Sequence, residues 1–129
     1  MRARILTPVR KTVLHIEDCD ADHELLKGTI GGHYHILRQR RIDDKYDAAR
    51  FDIIVSDLRL TTTYGIETVR AVRSAYPNKP LLILTGMAGA FMTGDLVMKL
   101  MDAGADNVAS KDILSSSHLL KLIGDLVDR

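Results

Sequence analysis

The sequence predicts an α/β domain: a five-stranded parallel sheet, doubly wound, with helices on both faces. Three observations predict it. Short apolar runs rich in β-branched residues alternate with segments of helical period, five of each, and that alternation implies right-handed crossovers and a parallel sheet. The runs "DIIV" and "LLIL" are apolar almost without interruption, as strands buried on both faces are. At 129 residues and 46% hydrophobic content, the chain fits one compact domain with a core of its own. Residues 1–9 are read as an N-terminal extension and 10–129 as the domain, with no internal repeat, linker or low-complexity tract.

Taken in order, "TVLHI" (12–16) reads as the first strand and stops at the acidic "EDCDAD". "ADHELLKGTI" (21–30) follows as a helix with Leu25, Leu26 and Ile30 on one side, ended by Gly31 and Gly32. "YHILRQR" (34–40) is a more exposed second strand, because polar residues intrude upon it. In "RIDDKYDAARF", Ile42, Tyr46 and Ala49 keep helical spacing while three aspartates interrupt, which predicts a reduced second helix. "DIIVSD" (52–57) is the third strand. "IETVRAVRSAY" (66–76) is a helix with Ile66, Val69, Val72 and Tyr76 inward, closed by "PNKP", since proline cannot continue a helix. "LLILT" (81–85) is the fourth strand and "GDLVMKLMDAGA" (94–105) the fourth helix, packed through Met98 and Met101. "NVASK" (107–111) is the fifth strand, and "SSSHLLKLIGDLVDR" (115–129) the last helix, capped by serine.

Composition excludes several functions. With 18 basic and 17 acidic residues the net charge is +1, which gives no bulk field for nucleic acid or a membrane surface. Arg38, Arg40 and Arg41 form a small basic patch, read as a solvated edge. The single cysteine, Cys19, has no internal partner for a disulfide and reads as small filler beside the first strand. No run approaches a membrane span, and "MRARILTPVRK" lacks a signal-peptide core, so a cytoplasmic location is expected. His33 and His35 share strand-alternate spacing without a third ligand for zinc, and His15 reads as a satisfied core histidine.

The chemistry gathers at one rim. Ligands of doubly wound sheets bind beyond the carboxyl ends of the strands, where the strand order reverses. Glu17 and Asp18 follow the first strand, Asp57 the third, Thr85 closes the fourth and Lys111 the fifth. With the order 2-1-3-4-5, the first and third strands are neighbours about 4.8 Å apart, so Glu17, Asp18 and Asp57 share a crevice. Their mutual repulsion calls for a hard divalent cation such as Mg²⁺, bound through carboxylates and retained waters. A carboxylate nucleophile beside a cation, a lysine and a hydroxyl is the equipment for forming an aspartyl phosphate.

"VLHIEDCDADHELL", "FDIIVSDLRLTTTYGIETVRAVR", "PLLILTG" and "AGADNVASKDIL" together resemble the receiver domain of two-component response regulators, the CheY-like superfamily, with Gly65 eight residues after Asp57. The resemblance covers nearly everything from about residue 10 onward and implies a flavodoxin-like (βα)5 fold. It implies that Asp57 is the phosphoacceptor, that Asp18 and Asp57 ligate Mg²⁺ with Glu17 assisting through water, and that the backbone carbonyl of Arg59 completes the metal site. Thr85 would donate to the phosphoryl group, and Lys111 would pair with one of its oxygens. The implied partners are a sensor histidine kinase or phosphotransfer protein, with a homodimer through the surface of the fourth helix, fifth strand and fifth helix. Direct contact with nucleic acid or membrane is not expected, nor is enzymatic activity beyond the domain's own phosphorylation and dephosphorylation.

Departures from the family's pattern fall on partner surfaces more than on the acidic pocket. Val108 stands where an aromatic residue usually lies three positions before the lysine, and Asp112 and Thr61 replace common prolines. The stretch between Thr85 and Gly104 is longer than usual, with Met87 and Met92 a suggestive pair for partner contact, and the region around the second helix is shorter. A receiver-like scaffold or dimerisation module working without phosphorylation is the competing reading. A phosphatase of the haloacid-dehalogenase type fits less well, because it needs an aspartate where Arg59 sits. A flavodoxin-like nucleotide site would have phosphate repelled by "EDCDAD".

Overall fold

The computed structural model describes residues 10–86, 93–111 and 115–128. Five strands form one parallel sheet in the order β2-β1-β3-β4-β5: β1 (Thr12–Ile16), β2 (His35–Gln39), β3 (Ile53–Ser56), β4 (Leu81–Thr85) and β5 (Asn107–Ser110). Among the described residues, four α-helices connect and cover them: α1 (Asp20–Ile30), α2 (Ile66–Ala75), α3 (Gly94–Asp102) and α4 (Ser116–Val127). The predicted fold class and strand order hold.

Pleating sorts the strand residues between two cores. Leu14, Ile16, Ile54, Leu81 and Ile83 face one way and meet Val69 and Val72 of α2, Tyr76 just after it, and Leu100 of α3. Val13, Ile53, Val55, Leu82 and Leu84 face the other way and meet Leu26 and Ile30 of α1 and Leu119, Ile123 and Leu126 of α4. At about 1.5–3 kcal/mol for each buried aliphatic side chain, these two layers supply the main driving force for folding.

The helix ends follow local chemistry. Thr93 accepts a hydrogen bond from the Leu96 N–H, and Ser115 accepts one from the His118 N–H, the serine cap that the sequence predicts. Gly104 ends the α3 segment at φ 131°, a conformation L residues avoid. Arg73 then fastens this corner, donating to the Gly104 carbonyl at 2.6 and 3.0 Å and pairing with Asp106 at 3.1 Å.

Several expectations need correction. The second helix is reduced to a single 3-10 turn, Ala48–Arg50. The Asp47 side chain caps that turn by accepting from the Ala49 N–H, so it competes with a longer helix rather than joining one. Ile42 and Tyr46 still pack against the core, and Tyr76 replaces helical ties by donating its hydroxyl to Gln39 Oε1 at 2.6 Å and accepting from the Tyr46 N–H at 2.8 Å. Met98 and Met101 are exposed at 60% and 40%, because α3 turns Leu100 inward and half-buries Leu96. Leu25 is 69% exposed, one position off the buried face of α1 set by His23, Leu26 and Ile30. Cys19 is exposed as well, since it precedes α1 at the rim. Met87, Met92, Asp112 and residues 1–9 lie outside the described residues. No helix among the described residues is long and apolar enough to cross a membrane.

Candidate functional site

The parallel register of β1 on β3 pairs Ile16 with Ser56, so the next residue of each strand emerges at the same carboxyl edge. Backbone hydrogen bonds carry the alignment past the strand ends. The Asp57 N–H donates to the Ile16 carbonyl at 3.0 Å, and the Glu17 N–H donates to the Gln39 carbonyl at 3.0 Å. On the far side, the Lys111 N–H donates to the Thr85 carbonyl at 2.7 Å. Rigid strands thus aim each side chain that the sequence places at the rim.

Carboxylate oxygens of Glu17, Asp18 and Asp57 all lie within 4.8 Å of one another. These are hard oxygen donors crowded into a small volume, and the set fits a hard divalent cation. Glu17 is wholly buried, while Asp18 and Asp57 are half-buried. Lys111 Nζ answers their charge, donating to Glu17 Oε1 at 2.9 Å and standing 3.4 Å from Asp57 Oδ1. The Leu58 N–H donates to the same Asp57 oxygen at 2.9 Å. Above them opens a cleft of about 480 Å³ whose walls include Asp18, Asp57, Arg59, Thr85, Gly86 and Lys111. The structure therefore brings together the sequence-predicted residues: three carboxylates, the lysine, and Thr85 and Arg59 in the wall.

Burial sets the protonation states. It pushes the Glu17 carboxyl up to about 7, against the pull of the Lys111 hydrogen bond. Burial raises Asp57 too, with Lys111 and the Leu58 N–H opposing. For Lys111 burial disfavours the charge, but hydrogen bonds to Asp22 and Glu17 and the charge of Asp57 outweigh it and hold its pKa above the usual lysine value. Lys111 is thus the fixed cation of the site.

The loop after Asp57 is braced from within. Thr68 donates its hydroxyl to the Leu58 carbonyl at 2.8 Å, the Leu60 N–H donates to the Thr63 carbonyl, and the Gly65 N–H returns to the Leu58 carbonyl. Gly65 sits at φ 65°, where a side chain would be strained. That is the physical need behind the glycine eight residues after Asp57. Arg59 and Tyr64 form an isolated bridge across the loop, with the guanidinium over the ring at 5.5 Å.

Sequence reasoning missed four contributors. Asp22 accepts from Lys111 Nζ at 2.9 Å, and its place four residues after Asp18 was the available signal. Thr61 donates its hydroxyl to Asp18 Oδ2 at 2.6 Å. Arg38 is not part of a solvated edge: its guanidinium is largely buried, and Nε donates to the Glu17 carbonyl at 3.1 Å while Nη1 pairs with Asp20 at 2.6 Å. Arg40 and Arg41 do face solvent. His23 meets His15 with their Nδ1 atoms 2.9 Å apart, so His15 is the satisfied core histidine expected. Burial, then the charges of His23, Lys111 and Arg38, push His15 down to about 3. His33 and His35 are both exposed.

No protein-family model matches the sequence, and no curated protein matches it. Solved structures do. The chemotaxis protein CheY4 of Vibrio cholerae aligns with a TM-score of 0.74 and 25% identity, covering 92% of this chain and 99% of its own. The BeF3-activated DrrB receiver domain aligns at 0.74 with 18% identity, covering 94% and 100%. A CheY-like receiver domain protein from Methanospirillum hungatei aligns at 0.72 with 20% identity, covering 93% and 95%. Over most of its length, the chain is similar in structure to the CheY-like receiver domains of response regulators, as its motifs imply.

Proposed function

We propose that this chain is a phosphoryl-accepting switch of a two-component system, with Asp57 as the acceptor and a sensor histidine kinase or phosphotransfer protein as the donor. One observation carries the reading: carboxylates from the ends of β1 and β3 converge with Lys111 from the end of β5 at the floor of an open cleft. Asp57 is the one of the three carboxylates that is both presented in the cleft and held by a strand end on the lysine side.

In the transfer step, an ionised Asp57 oxygen bonds to phosphorus. The bond from phosphorus to the donor's imidazole nitrogen breaks, and the electron pair returns to that ring. Lys111 turns from its carboxylate partners toward an oxygen of the arriving group, and the Thr85 hydroxyl donates to another. The carboxylates of Glu17, Asp18 and Asp57 and the Arg59 carbonyl would hold Mg²⁺, which when bound supplies positive charge against the crowded oxygens. Thr61 keeps Asp18 oriented, and Arg38 steadies the Glu17 backbone by donating to its carbonyl.

The added charge then biases the surface of α3, β5 and α4. Exposed Met98 and Met101 supply apolar area on that surface for a partner or a second copy. Val108, half-buried against the α2–α3 core, favours the second reading, a scaffold or dimerisation module that works without phosphorylation. Incubation with acetyl phosphate and Mg²⁺, followed by intact-mass analysis, separates the two. A switch gains one phosphoryl group, absent from Asp57→Asn and from a chelated control; a scaffold gains none from any donor, kinases included.

A further inference from the structure

Asp22 lies outside the predicted set, yet it holds the group that phosphoryl transfer needs free. It stands in the first turn of α1 and lines the cleft. Lys111 Nζ donates to Asp22 Oδ2 at 2.9 Å and to Glu17 Oε1 at 2.9 Å, while the acceptor Asp57 lies farther off at 3.4 Å. An ammonium has three donors, so two are engaged before a phosphoryl group arrives. The two holds differ in kind. Glu17 is wholly buried and belongs to the floor; Asp22 is 41% exposed at the mouth, where an anionic donor must pass.

We propose that Asp22 is a positioning residue that shares the Lys111 ammonium with Glu17, so that the arriving phosphoryl oxygens must displace a resident carboxylate. The inference rests on reading Asp57 as the phosphoacceptor. Asp22 restrains transfer in two ways: the Lys111–Asp22 pair must open, and its own negative charge at the cleft mouth opposes a negatively charged donor. Neither effect requires Asp22 to touch phosphorus. The residue sets the readiness of the switch, and the chemistry remains with Asp57 and Lys111.

The test uses the full chain with acetyl phosphate and Mg²⁺, where an Asp57 oxygen bonds to phosphorus, the bond to the acyl oxygen breaks, and acetate leaves with the electron pair. Asp22→Asn keeps the size and removes the charge, and it raises the second-order rate of labelling about fivefold, the scale of one partly exposed ion pair. Asp22→Glu restores the carboxylate and returns the rate toward wild type. Glu24→Gln removes another carboxylate of α1, an exposed one that does not line the cleft, and leaves the rate unchanged. A second readout needs no metal: the nitrogen-edited NMR signal of the Lys111 ammonium, assigned by its absence from Lys111→Met, shifts and broadens in Asp22→Asn and is restored in Asp22→Glu. An unchanged labelling rate in Asp22→Asn, with wild type labelling normally, overturns the proposal whatever the ammonium signal does. Absence of label from wild type and variants alike overturns the phosphoryl reading and the restraint with it; the ammonium signal then decides whether Asp22 holds Lys111 at all.

Discussion

At the residue scale, the two buried groups on β1 and just after it pull stability in opposite directions with pH. Glu17 keeps its proton to about pH 7 in the fold, against an ordinary value of 4.5. The folded chain therefore binds more protons than the unfolded chain across that window, and this contribution is full below about 4.5 and lost as pH rises through 7. His15, pushed down from 6.5 to about 3, does the reverse: its contribution is present above 6.5 and lost as pH falls toward 3. Between pH 4.5 and 6.5 the two oppose each other. In metal-free protein, Glu17→Gln leaves the histidine contribution less opposed, so its urea midpoint climbs over that interval more steeply than in wild type. Equal slopes for the two proteins would contradict the burial assigned to Glu17. The sequence marked His15 as a core histidine but not its partner eight residues away on α1, and it gave no sign of the Glu17 burial, which arises from packing under Lys111 and the β2 edge.

At the element scale, the strands were the most legible parts. The limits of β1 and β4 match the sequence reading residue for residue, because apolar runs buried on both faces leave few alternatives. Helix faces were less legible: Leu25 and Met98 look inward by hydrophobicity, and only the sheet's geometry decides which side of α1 and α3 it covers. The reduced second helix was visible as a weakened pattern, but the hydrogen bonds that take its place were not. Tyr76 ties Gln39 to Tyr46 across the sheet edge, and both Gln39 Oε1 and the Tyr46 N–H lose this partner if the hydroxyl goes. Tyr76→Phe should cost about 1–3 kcal/mol in urea unfolding, the penalty for buried polar groups left unpaired. A change confined to a few tenths would mean that the 3-10 segment is held by Ile42 and Tyr46 packing alone.

At the scale of the whole molecule, the candidate site was legible because topology, rather than sequence proximity, assembles it: Glu17 and Lys111 are 94 positions apart and 2.9 Å distant. The strand order supplies that meeting, and residues such as Asp22 and Thr61, which approach from helix and loop, carry no comparable signature. A cation bound across β1 and β3 would link to global stability. At a hundredfold excess over its dissociation constant, Mg²⁺ should stabilise the fold by about 2.7 kcal/mol. Asp18→Ala should abolish most of that gain in thermal unfolding, and an undiminished gain would place the metal elsewhere. The bridge between Arg59 and Tyr64 has a practical corollary. The chain has four tyrosines and no tryptophan. Tyr76 is buried, Tyr34 and Tyr46 are half-buried, and Tyr64 alone is exposed, in the wall of the cleft. Intrinsic ultraviolet emission is therefore a built-in optical gauge: its iodide-quenchable fraction belongs chiefly to Tyr64, and occupancy of the cleft can be followed in the unlabelled protein by watching that fraction change.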